Sequence, residues 1–320
     1  MHIRPVAALA LTLAALSAMP ALRAQVPLIP ADGDGSRIDI MTVDRDRYDR
    51  MTVPVTINGR GPYRFLVDTG AQATVVTPAV VDALGLAPSG QAVLVAMASR
   101  ALVDTVALDG LEFAGRRFDN LTTPLLRGQN IGADGIIGLD SLQDLRVVID
   151  FQANAITVRD SSAGERRGYE IVVRARRKLG QMIITDARIG GVRTAVIIDT
   201  GSWHSHANLP LQRKLRAKRG EALLSTDVHG AQLRSDVAVV RDLRIGRVGI
   251  ANVTVGFTDS PAFAALGLDT APALILGLGN LRPFDRVAID FASRRVLFDV
   301  PADVSIDPFE GMFGPPRMGS

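Results

Sequence analysis

The chain has 320 residues, of which 47% are apolar and 22% charged, with 36 basic against 33 acidic side chains and no cysteine. That length and apolar content suit two domains with a core each, while near-balanced charge and only 5% aromatic residues leave no stacking platform for bases and argue against a nucleic-acid partner. Without Cys there is no disulfide and no thiol for lipid attachment; the compartment is left open by this count.

Taken in order, His2 and Arg4, an apolar stretch over 6–18, Pro20 and a small-residue stop near Ala24 have the layout of an export signal. The apolar run is short for a bilayer span, so cleavage after 24 is expected, with a retained anchor as the alternative. Because Arg4 and Arg23 fall in that leader, 34 basic and 33 acidic residues follow it, with no stable membrane span expected. Residues 25–36, rich in Pro, Gly and Asp, read as a tether.

A first lobe is expected over 37–160. Residues 51–67 predict a β-hairpin turned at Asn58-Gly59. Thr77-Pro78 up to Gly85 predicts a short helix with Pro at its start and Gly past its end. A second hairpin is expected over 92–108 with its tip near 97–100, and a third over 147–158 turning near 152–154. Residues 161–168 read as a linker and 169–301 as a second lobe, in which 287–298 repeats the third hairpin around 292–294. The basic run 213–219 falls where a helix is expected and reads as a solvated face. The Gly- and Pro-containing stretch 302–320 reads as a disordered tail. Short β-branched strands dominate, so the fold class is all-β with minor helices.

Asp-Thr-Gly occurs twice, as Asp68-Thr69-Gly70 and Asp199-Thr200-Gly201, each ending an apolar run (Phe65-Leu66-Val67 and Val196-Ile197-Ile198). An ungapped offset of 131 lays 51–70 over 182–201, with Gly59 over Gly190. Downstream, Ile136-Ile137-Gly138-Leu139 and then Val148-Ile149-Asp150-Phe151 are matched by Ile275-Leu276-Gly277-Leu278 and then Ala288-Ile289-Asp290-Phe291. A repeat of that length suits two domain-sized lobes.

The motif has a mechanical logic. The strand fixes the carboxylate, Gly lets the backbone come close enough for main-chain N–H groups to bond it, and the Thr hydroxyl is free to reach the other copy's loop. Two carboxylates that meet share one proton, so one takes a proton from water while the other donates to an amide carbonyl. Both turns, with the apolar-apolar-Gly segments that follow them, resemble the aspartic proteases, specifically the retropepsin-like group of exported bacterial proteins. The resemblance implies two tandem closed-barrel-like lobes with a ψ-loop each, related by a pseudo-twofold, with the active site in the cleft between them. It also implies Asp68 and Asp199 as the catalytic pair, with Thr69, Gly70, Thr200, Gly201 and Ser202 in support. The Ile136-Ile137-Gly138 and Ile275-Leu276-Gly277 segments would cradle the catalytic turns. Because Ser202 stands where the first motif has Ala71, its hydroxyl is expected to favour an ionised Asp199, leaving the shared proton on Asp68.

Family members close a Gly-rich flap over bound peptide. The second lobe offers His229-Gly230; the first has Met97-Ala98-Ser99 without Gly, which implies a stiffer flap or closure of one flap alone. Trp203 is either a packing residue or part of a subsite. His204 and His206 alternate as metal ligands would, but lack a third partner, so cleft or surface histidines and no metal are expected. Asp150 and Asp290 are expected to cap tight turns. The function read from the chain is a periplasmic or secreted endopeptidase acting as a monomer on an extended protein or peptide segment, with no cofactor. The alternatives are a non-catalytic peptide-binding module and an enzyme that only processes itself.

Overall fold

Strands dominate the computed structural model, which describes residues 39–42, 44–45, 51–161, 169, 171–178, 181–218 and 220–301. The expected leader, the tether over 25–36, residues 162–168 of the linker and the tail lie outside the described residues. Helices among the described residues are short, Pro78–Leu84 and Leu209–Leu215 being the longest at seven residues each. None of them is long and apolar enough to cross a membrane. The class is all-β.

Local chemistry sets the elements that carry the site. Strand Met51–Ile57 turns into Arg60–Val67 through Asn58 (φ 51°) and Gly59 (φ 72°), two successive left-handed residues that match the twist of the strands they join. Gln181–Ile189 turns into Val192–Asp199 through Gly190 (φ 52°) and Gly191 (φ 80°), the same device. In the first of these strands Val53, Val55 and Ile57 are buried while Pro54 is exposed, a period of two that places one face in the core. The predicted helix spans Pro78–Leu84 and stops at left-handed Gly85. The basic run is helical only as far as Leu215, because Arg216 turns left-handed as the cap.

Each strand that ends at an Asp lies parallel to its downstream apolar segment. Arg60–Val67 pairs in parallel with Gly135–Ile137, Val67 opposite Ile137; Val192–Asp199 pairs in parallel with Ala273–Gly277, Asp199 opposite Gly277. In the second half the sheet closes on itself, since Gln181–Ile189 pairs with Gln232–Ile245 as well as with Val192–Asp199. In the first half the corresponding strands form two sheets, of seven and three strands, bridged at Val76 and Leu125.

A six-stranded sheet draws on both halves, with Leu145–Asp150 beside Arg286–Asp290 at its centre. Its register sets Arg146 opposite Asp290, and the two form an ion pair, Nη2 to Oδ2 2.7 Å and Nε to Oδ2 2.9 Å. Arg146 is 3% and Asp290 0% exposed. Asp290 also caps its turn by accepting from the Ser293 N–H at 2.8 Å, as Asp150 does from Ala153 at 2.7 Å. The turn-capping role is therefore present at both acids, and Asp290 carries a buried charge pair as well.

Candidate active site

The two Asp-Thr-Gly turns face each other. A Cβ on Gly70 would stand 2.7 Å from Asp199 Cγ, and one on Gly201 would overlap Asp68 Oδ2, so each glycine is required by the opposite carboxyl group. The carboxyl groups of Asp68 and Asp199 are themselves hydrogen-bonded. Behind each turn the apolar-apolar-Gly segment forms a floor. Leu139 N–H donates to Ala71 O (2.9 Å) and Leu278 N–H to Ser202 O (2.8 Å). Gly138 and Gly277 lie against the backbone of residues 73–74 and 202–204, where no side chain fits.

The threonines lock the turns together reciprocally. Thr69 Oγ1 donates to Ile198 O (2.8 Å) and accepts from Thr200 N–H (3.2 Å); Thr200 Oγ1 donates to Val67 O (2.6 Å) and accepts from Thr69 N–H (3.1 Å). Both are buried, at 3% and 5% exposed. Thr200→Val keeps the shape but leaves Val67 O and Thr69 N–H unpaired. A loss of about 1–3 kcal/mol for each is expected, read as a lower urea midpoint at unchanged slope.

The environments of the two acids differ. Asp68 Oδ1 accepts from Gly70 N–H (2.7 Å) and Ala71 N–H (3.0 Å). Asp199 Oδ1 accepts from Gly201 N–H at 2.9 Å, and the Ser202 N–H also favours its charge. Asp199 keeps some open surface but is packed closely on its other sides. Burial first, and the Asp68 charge second, push its pKa well above the ordinary carboxylate value. Both causes favour the protonated form of Asp199 within the pair. The Ser202 hydroxyl donates to His204 O at 2.9 Å instead of to the carboxylate, so the support Ser202 gives the Asp199 charge comes from its backbone N–H.

The two flap candidates are hairpins that meet tip to tip. In the first, Pro88–Val95 and Arg100–Leu108 flank Met97-Ala98-Ser99; in the second, Ala222–Thr226 and Gln232–Ile245 flank a tip with His229 and Gly230. The first tip needs no glycine, since none of its residues has positive φ, whereas Gly230 has φ 86°. Asp227 Oδ2 accepts from Ala98 N–H (3.1 Å) and Ser99 Oγ (2.6 Å), and Ser99 Oγ lies 2.6 Å from His229 Nδ1. Each tip also inserts an apolar side chain into the opposite half: Met97 packs with Phe263, Ala273 and Ile275, and Val228 with Leu66, Ile131 and Ile136. Both hairpin tips are thus engaged with the opposite half.

Trp203 stands apart from this latch. It packs on Gly279 and stacks under the Arg282 guanidinium, 5.4 Å from its ring centroid. His204 is exposed, but His206 is buried within strand His206–Asn208, near Ser235 Oγ, so it is neither a cleft nor a surface residue. Burial, with His204 second, lowers its pKa to about 4. No group of three or more metal-ligating side chains occurs among the described residues.

Four site residues were not read from the sequence. Thr74 Oγ1 and Ser205 Oγ accept from the Gly138 and Gly277 N–H groups (3.2 and 3.0 Å), and the 131-residue offset that aligns the turns also aligns these two hydroxyls. Asp227 had only its place in a turn to mark it. Gln181 donates from Nε2 to Gly70 O at 2.6 Å, with no sequence signal, since the same offset places it over Arg50.

Residues 53–141 match the family model described as aspartyl protease, a stretch holding the first Asp-Thr-Gly and Ile136-Ile137-Gly138. No curated protein matches the chain.

Proposed function

We propose that this chain is an exported aspartic endopeptidase whose two halves, related by a pseudo-twofold, each supply one carboxyl group of a catalytic pair. The observation that carries the reading is the pair itself: two hydrogen-bonded carboxyl groups on threonine-locked turns, with burial pushing one toward the protonated form. In the proposed reaction Asp68 takes a proton from a water as its oxygen attacks the peptide carbonyl carbon, and Asp199 donates its proton to the carbonyl oxygen. The tetrahedral intermediate then collapses: the C–N bond breaks, the leaving nitrogen takes up the proton held by Asp68, and a hydroxyl of the intermediate returns a proton to Asp199 as the product carboxyl group forms. The substrate would lie extended beneath the two hairpins, which must part to admit it and then hold it by main-chain bonds. The enzyme would work as a monomer, without a cofactor, in the periplasm or outside the cell.

Cleavage of a mixed peptide library by the chain lacking residues 1–24, from acid to neutral pH, tests the proposal. Hydrolysis with a defined preference is the expected result. Peptide retention without cleavage at any pH would identify a binding module instead.

A further inference from the structure

Gln181 is 1% exposed at the start of strand Gln181–Ile189, and its amide reaches from the second half to the first catalytic turn. Nε2 lies 2.6 Å from Gly70 O; an oxygen in that place would face another oxygen, so the amide orientation is fixed by its partner. Its Oε1 is also buried and has no hydrogen-bond partner among the described residues. A buried polar side chain that satisfies one end and not the other is unfavourable by itself, so the bond it does make needs a reason.

The acceptor supplies one. Gly70 O and Ala71 N–H belong to one peptide unit, and that N–H donates to Asp68 Oδ1 at 3.0 Å. Gly70 N–H donates to the same oxygen at 2.7 Å, and Gly70 Cα abuts the Asp199 carboxyl group. A donor on the carbonyl both fixes the plane of this peptide and polarises its N–H toward Asp68, since chained hydrogen bonds strengthen one another. We infer that Gln181 is a positioning residue for the pair, acting through the Gly70–Ala71 peptide to hold the two main-chain N–H groups on Asp68 Oδ1. The inference rests on the proposed dyad chemistry but is testable without activity.

The test is the carboxyl carbon titration of Asp68 by NMR in an Asp199→Asn background, where Asp68 titrates alone, with and without Gln181→Met, an unbranched replacement that lacks the donor. The expected result is an upward move of the Asp68 midpoint by roughly half a unit or more. If hydrolysis is seen, Gln181→Met in the otherwise native chain should move the acid limb of kcat upward with KM little changed. A Gln181→Met protein that is less stable yet titrates Asp68 at the same pH would make Gln181 merely structural and overturn the inference. Gln181→Leu serves if Gln181→Met does not fold. Absence of hydrolysis by the native chain would sink the protease reading alone, because the titration reads Gln181 independently.

Discussion

Asp68→Asn and Asp199→Asn are each expected to lower kcat/KM by at least ~10⁴-fold, because the two carboxyl groups act as one unit and neither does the other's work. The two variants should part company in stability. Asp199 carries a folded-state pKa raised mainly by burial, so the native state holds a proton that the unfolded chain releases at the ordinary carboxylate range. Across the window between that range and the raised value, stability falls as pH rises. Asn removes the titration, so Asp199→Asn should melt higher than the native chain at neutral pH, with the gain fading in acid. Melting curves from pH 4 to 8 measure it; equal Tm values throughout would mean that Asp199 is not the proton carrier.

The second large effect lies away from the cleft. Asp290→Ala leaves Arg146 buried without its carboxylate, and removing one partner of such a pair costs about 3–5 kcal/mol. For a chain of this size that is roughly 5–8 °C in Tm. Burial by itself would raise the Asp290 pKa, but the Ser293 N–H, the Arg146 guanidinium and the Ser161 hydroxyl outweigh it and hold it low. Its contribution is therefore complete above the ordinary carboxylate range and is lost as pH falls through the lowered folded value. The gap between the native chain and Asp290→Ala should be flat from neutral to about pH 5 and narrow below about pH 4. A double Arg146→Met, Asp290→Leu variant should recover much of the loss, since apolar replacement of a buried pair is often neutral. No recovery would mean that the carboxylate's work is turn capping alone.

His206 runs against Asp199 in the same pH range. Its lowered pKa means that protonation opposes folding, so its effect on stability worsens as pH falls from the ordinary imidazole value toward about 4. The pH of greatest stability is set by this opposition, and Asp199→Asn should shift it upward.

Elements governed by neighbours in the chain were legible in the sequence. The Asn58-Gly59 turn, the helix stopped by Gly85, the hairpins around 152–154 and 292–294 and the caps at Asp150 and Asp290 all follow from which residues tolerate positive φ or accept a nearby N–H. So did the locking of the turns by Thr69 and Thr200, because a repeated motif implies a repeated, reciprocal contact.

Long-range contacts that no repeated motif announces were not legible. Arg146 meets Asp290 only because two hairpins from different halves share one sheet, and Asp227 reaches Ser99 only because two tips converge. Gln181 has no counterpart in the repeat to betray it. The place of the Ser202 hydroxyl was not legible for a related reason. A Ser beside an Asp fixes that a donor is near, but its hydroxyl has several acceptors within reach, and the fold offered the His204 carbonyl. By itself the sequence determined the strands, the turns and the identity of the two paired acids, because short-range sterics and periodic burial decide those. How burial acts on Asp199, what pins the Asp68 turn and what closes the hairpins were decided only by the tertiary structure, because desolvation and long-range hydrogen bonds exist only once the halves are packed together.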